Sequence, residues 1–296
     1  MFSALLPAIR VHSWGGFGSQ LFALVACWNL SRKYPRRRVT LYIHTSGVTK
    51  RHPEIHAFVG DLRVVVLDDY KEVGPSLDYS LSTKSITWSS KRLFIGISKV
   101  LATKIGILSN LNSAADYRRL KPWIISVRGH YTGVPIDQVD LAHLKKLFEK
   151  LSNQTCNTFA KSGTLTVQYR LGDLINLEDK SYISPATVSA LIANELANQD
   201  YSSIFILTDS PLEAKKILAN KVFDYQVNSL TPISTIRVCI DSEFFIGTNS
   251  KISLWAALLR ALNGKTSLLP IGFRNNITNY LVSNHISLVS FYENES

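Results

Sequence analysis

Arg170, in the stretch VQYRLGDL, is the residue here best placed by type and context for charge chemistry. It closes an apolar run that reads as a strand, and ligands of open α/β sheets bind at the carboxyl ends of strands. A guanidinium there can hold a diphosphate through two parallel N–H bonds while negative charge develops on it. The same residues also suit a plainer role, an Arg170–Asp173 pair tying down its own loop. Three other strand ends carry comparable sets. GGFGSQLF puts Gly16, Gly18, Ser19 and Gln20 at a strand-to-helix turn. Amides and side chains there suit an anion or sugar hydroxyls, and close packing would explain the glycines equally well. IFILTDSP sets Asp209 where it could accept from a ribose or base, or share a helix cap with Ser210. GTNSKISLWAALL gathers Thr248, Asn249, Ser250 and Ser253 at a third such junction, able to grip phosphate, while Trp255 reads as helix core.

Other chemistries find no support in the spacing. The glycines of GGFG do not make G-x-G-x-x-G, and the Lys and Ser/Thr of a P-loop are missing. There is no G-x-S-x-G elbow for a serine hydrolase. No His or Asp pair has metal-ligand spacing, so no metal is expected; His12, His44 and His130 sit in strand-like runs and read as packed side chains. Cys27, Cys156 and Cys239 are odd in number and scattered, which fits neither a disulfide framework nor a zinc site and suggests a reducing compartment.

The elements that must position these residues follow from periodicity. IRVHSW, VTLYIH, RVVVLD and IISVRGHY read as strands, with a helix from about Ser19 to Lys33 and another over Asp140–Ser152. After the polar stretch NQTCNTFAKSG the pattern restarts with the strand TLTVQYRL. Ser184 and Pro185 then mark a helix start, SIFILTD reads as a strand buried on both faces, and Ser210 with Glu213 suggests a capping box. RVCID, FFIGT and SLLPIG read as further strands around the helix KISLWAALLRAL. This alternation predicts an α/β fold of two Rossmann-like units with parallel sheets, residues 1–155 and 156–296.

Of the 296 residues, 46% are apolar and 19% charged, ample for two cores, and no segment approaches the roughly 18 apolar residues of a membrane span. The start of the chain lacks the pattern of a secretory signal, so a cytoplasmic protein is expected. The net charge of +11 calls for anionic partners, whether nucleic acid, lipid headgroups or phosphorylated small molecules. Its densest cluster, RKYPRRR, reads as a solvated helix end, and the absence of any RRM, KH or zinc-finger pattern speaks against nucleic acid. The basic stretch Ser85–Gly106 suits an ordinary surface helix or one lying on the inner membrane surface.

In their order along the chain these motifs resemble the α1,2-fucosyltransferases, and the sequence looks like a divergent member (glycosyltransferase family 11-like). GGFGSQLF is similar to that family's G-G-[FL]-G-N-Q-[LM], and SVRGHYTG to its G-Y-[FW]-Q-S. VQYRLGDL is similar to H-V-R-R-G-D-Y, IFILTDSP to F-x-[IV]-F-S-D-D, and TNSKISLWAALL to N-S-S-F-S-W-W-[AG]-A. The sequence departs from the pattern at Ser19 (Asn), Gln168 (His), Leu171 (the second Arg), Leu174 (Tyr) and Leu254 (the first Trp). The resemblance implies a GT-B-like fold and an inverting, metal-independent transfer of L-fucose from GDP-β-L-fucose to a galactose-containing glycan, free or lipid-linked. The second half would hold the donor and the first half the acceptor. Arg170 would take the β-phosphate and stabilise departing GDP, and Asp173 would hold the loop or orient a sugar hydroxyl. Gln168, Asp209, Asn249, Ser250 and Ser253 would line the nucleotide, and Gly16, Gly18, Ser19 and Gln20 the sugar. Asp173 and Glu178 are candidate bases by position.

Overall fold

The computed structural model describes residues 7–46, 53–69, 100–155, 163–172, 174, 182–218 and 223–294. The chain divides into two compact units, Met1–Pro135 and Ile136–Ser296. Each is built on a parallel sheet, as the alternation of strands and helices requires.

In the first unit the strands are β1 (Ile9–Trp14), β2 (Val39–His44), β3 (Arg63–Leu67), β4 (Leu108–Asn110) and β5 (Ser126–Arg128), in the order β3-β2-β1-β5-β4. Helix α1 (Phe17–Lys33) crosses from β1 to β2 and is buried along most of its length, as its almost continuous apolar sequence demands. Arg32 and Lys33 occupy its last turn, where the helix dipole favours cations. The basic cluster that follows is only partly solvated. The buried guanidinium of Arg37 donates to Pro7 O at 2.6 Å and Pro122 O at 2.8 Å, and Lys33 donates to Tyr117 O at 2.7 Å in the short helix α2 (Ala114–Arg119). Strand β5 covers only the middle of IISVRGHY. Tyr131, in left-handed backbone conformation, turns back so that its hydroxyl reaches His12 O at 2.6 Å.

The second unit begins with α3 (Gln138–Thr155), which the sequence reading gave to the first half. Gln138 donates to Tyr280 O at 3.0 Å, well inside the second unit. The sheet has the order β11-β10-β9-β6-β7-β8. Its strands are β6 (Thr164–Tyr169), β7 (Ser203–Thr208), β8 (Gln226–Asn228), β9 (Phe244–Gly247), β10 (Ser267–Pro270) and β11 (Val289–Tyr292). All of β6 is buried because neighbours flank it on both edges and helices cover both faces. The helices are α4 (Pro185–Asn198), α5 (Pro211–Leu218), α6 (Pro232–Asp241), α7 (Lys251–Ala261), α8 (Arg274–Tyr280) and α9 (Ser283–Ile286). Ser184 caps α4 by accepting from Thr187 N at 3.1 Å.

RVCID is not a strand. It forms the last turn of α6, opened by Thr231, whose hydroxyl accepts from Ser234 N at 3.2 Å, with Pro232 at the first helical position. The carbonyls that a helix end leaves unpaired are taken up by Arg260 of α7, whose side chain is wholly buried. It donates to Cys239 O at 2.6 Å, Ser242 O at 2.8 Å, Glu243 O at 2.8 Å and Thr266 O at 2.7 Å. Cys27 and Cys239 are buried and free, and Cys156 lies outside the described residues. Among the described residues no helix is long and apolar enough to cross a membrane. Most of the basic stretch from Ser85 falls outside them.

Candidate anion site at the carboxyl edge of the second sheet

From β6 the sheet grows one way through β7 and β8, and the other way through β9, β10 and β11. The strand order therefore reverses between β6 and β9, and an open parallel sheet leaves a crevice outside the carboxyl ends of two such strands. The segments that leave those two ends are the Arg170 loop and the Thr248–Ser250 junction into α7.

A buried hydrogen-bond lattice joins them. The Arg170 amide donates to Thr248 Oγ1 at 2.9 Å, and that hydroxyl donates to Gln168 O at 2.9 Å. Ser253 Oγ accepts from the Thr248 amide at 3.1 Å and donates to Gln168 Oε1 at 2.5 Å. Gln168 and Ser253 are thus committed to each other behind the junction, with Ser253 fully buried. They hold the crevice in shape rather than lining it. Leu171 turns inward and is also fully buried, while its amide donates to Asp209 Oδ1 at 3.0 Å. Gly172, at φ +22, lies so close to Asp209 that any Cβ would run into the carboxylate. Asp209 neither caps α5 nor stands apart for a ribose alone, since one of its oxygens fixes the loop after β6. Asp173 and Glu178 lie outside the described residues.

Ser250 caps α7, its hydroxyl accepting from Ile252 N at 3.1 Å, and Asn249 beside it is exposed. The first turn of α7 holds no acidic residue; it holds Lys251 instead. A cation there opposes the positive end of the helix dipole, so local helix energetics do not account for it. Burial, and then the charge of Arg170, pull the Lys251 ammonium down to about 8. The charge of Arg170, directly after β6, thus acts on Lys251 in the first turn of α7, after β9. Cations and a helix N-terminus at the ends of these two strands are the kinds of group that suit an anion with several oxygens. The sequence reading passed over Lys251, although a lysine directly after an N-cap serine was the signal.

In the first unit, Gly16 is the N-cap residue of α1, and Gly18 and Gln20 are buried in its first turns. Gly15, at φ +110, makes the turn out of β1 and its carbonyl accepts from Gln20 Nε2 at 3.4 Å. Ser19 is half-buried against Gly15. Gly18 and Gln20 thus serve the packing of α1, and among these four Gly16 and Ser19 retain surface at the carboxyl edge of the sheet.

No protein-family model matches the sequence, and no curated protein matches it. Among solved structures the chain is similar to E. coli heptosyltransferase WaaC with ADP, at TM-score 0.44 and 11% identity over 96% of each chain. It is similar to POFUT1 in complex with GDP at TM-score 0.38 and 11% identity, over 88% of this chain and 98% of that one. A putative UDP-N-acetylglucosamine 2-epimerase from Listeria monocytogenes gives TM-score 0.42 and 11% identity, over 95% and 86%.

Proposed function

We propose that this chain is an inverting, metal-independent glycosyltransferase whose second unit holds a nucleotide-sugar through its diphosphate. The observation that carries the reading is the placement of Arg170 directly after β6 and of Lys251 at the start of α7 after β9, the two strands at the switch point of a parallel sheet, with the charge of Arg170 acting on Lys251. A transferase without a metal must neutralise the departing diphosphate with fixed cations and N–H dipoles, and those groups are gathered there. The family pattern has a second arginine where this chain has Leu171. That side chain is spent on the core, and Lys251 supplies the second charge from the facing helix. On the motif resemblance, the donor is GDP-β-L-fucose, the acceptor a galactose-bearing glycan and the new bond an α1,2 linkage.

Thermal shift and product formation with GDP-fucose, GDP-mannose, UDP-sugars and dTDP-sugars, all in EDTA, test this. One donor class at a hundred times its Kd should stabilise the fold by about 2.7 kcal/mol, and it should yield glycoside in the presence of chelator. Failure of every donor to bind would remove the reading.

Binding should also depend on pH in a defined direction. The diphosphate pairs with charged Lys251, which loses its proton near pH 8 in the free protein. Above that pH the lysine must be reprotonated before it can pair, so affinity falls towards about tenfold per pH unit, while below it affinity is flat. Calorimetry from pH 6.5 to 9.5 should show this fall, and Lys251→Met should abolish it while weakening binding at pH 7.

A further inference from the structure

The strongest unassigned constellation is in the first unit, where histidines that read as packing residues form a directed chain. Parallel register sets His12 beside Tyr42 and Trp14 beside His44, with all four side chains on one face at the carboxyl end of β1 and β2. His44 Nδ1 lies 2.6 Å from Asp69 Oδ2, and His44 Nε2 lies 2.9 Å from His12 Nδ1. A carboxylate only accepts, so His44 carries its proton on Nδ1 and accepts at Nε2. His12 then donates from Nδ1 and keeps a lone pair on Nε2. The acid end is fixed too. Asp69 Oδ1 accepts from Ser46 N at 3.0 Å, and Thr45 Oγ1 donates to Asp68 Oδ1 at 2.9 Å. Burial alone would raise the Asp69 carboxyl, but hydrogen bonds from His44 and Ser46 outweigh it and hold it below the usual range.

Burial, then the charges of His44, Arg128 and Arg10, keep His12 down to about 4, so its lone pair is available at neutral pH. Trp14 lies flat on His44 at 4.1 Å and is 37% exposed, and the Arg128 guanidinium stands 5.7 Å from the Trp14 ring. Tyr42 stacks on His12 at 5.1 Å, and Tyr131 grips the His12 carbonyl. Packing would require partners for these histidines. It would not require a single direction of proton donation ending in a lone pair close to an exposed indole.

We propose that the first unit is an acid–base site for a carbohydrate hydroxyl, with His12 as the base and His44 and Asp69 as positioning residues. The assignment of the reaction rests on the transferase reading above. The O–H bond of the carbohydrate hydroxyl breaks with its electron pair left on oxygen, which makes that oxygen the nucleophile a transferase needs. The hydroxyl proton goes to His12 Nε2, and His12 can release its Nδ1 proton to His44, where Asp69 stabilises the charge.

The test compares His12→Gln, Asp69→Asn and Asp69→Glu with the wild-type chain. His12→Gln keeps a donor for His44, and should lower kcat about 100-fold or more with GDP affinity unchanged. Asp69→Asn should lower kcat and displace the acid limb of the pH profile, and Asp69→Glu should recover part of the loss, which a merely structural role would not produce. Transfer by His12→Gln at the wild-type rate overturns the proposal. If the wild-type chain gives no product from any donor, the transferase reading falls, and ¹⁵N NMR of the histidines decides this site separately. Methyl glycosides of galactose, glucose, mannose and N-acetylglucosamine are the probes. Displacement of the His12 signals by one of them, lost in Trp14→Ala, supports the site; signals unmoved by all four overturn it.

Discussion

Arg170→Ala should reduce turnover about 100- to 1,000-fold, the loss seen when a preorganised donor to developing negative charge is removed. The tie of this position to Thr248 should persist, because that bond uses the backbone amide and survives the substitution. The neighbouring lysine makes the experiment more discriminating. With Arg170 gone, the charge that helps to depress Lys251 is also gone, so the ammonium should titrate at higher pH than in the wild type. The pH at which nucleotide affinity begins to fall should move up with it. Steady-state kinetics in EDTA, a melting curve and a pH series of GDP titrations check the three parts. Undiminished turnover, or a transition that stays near pH 8, would separate Arg170 from the anion site.

Arg260→Met should destabilise the second unit by about 3–5 kcal/mol, the cost of removing one partner from a buried, charge-assisted network. The carbonyls of Cys239, Ser242, Glu243 and Thr266 would lose their donors in a dry interior. With typical domain stabilities of about 5–15 kcal/mol, that is a large share of the total. Arg260→Lys should recover little, since an ammonium cannot reproduce a planar fork spread over four carbonyls. Urea unfolding followed by circular dichroism measures both. A loss below about 1 kcal/mol would mean that water replaces the guanidinium at those carbonyls.

Where apolar periodicity met clear punctuation, the sequence was legible. Ile9–Trp14 and Val39–His44 are strands at the expected bounds, and Ser184–Pro185 opens a helix as its cap chemistry requires. RVCID misled because Ile, Val and Cys favour strands by shape, while the Thr231–Pro232 start lies outside the window in which that preference is judged. Strands β4 and β8 are three residues long and pair at sheet edges, too short for alternation to show. At the carboxyl edge of the second sheet, the positions of Arg170, Asn249 and Ser250 at strand ends could be read from the sequence. Gln168 and Ser253 could not be told apart from ligand-facing groups, because their mutual bond joins residues 85 positions apart. Separation in sequence also concealed the action of Arg170 on Lys251 and the hydrogen bonds that join His12 to His44 and His44 to Asp69.

The claim on which most depends is that a diphosphate sits at the switch point of the second sheet without a metal. A crystal structure of the chain soaked with GDP in EDTA measures this directly. The account predicts the diphosphate oxygens within hydrogen-bond distance of the Arg170 guanidinium, the Lys251 ammonium and the first amides of α7. Diphosphate bound elsewhere, with Arg170 turned into an ion pair within the protein, would contradict it.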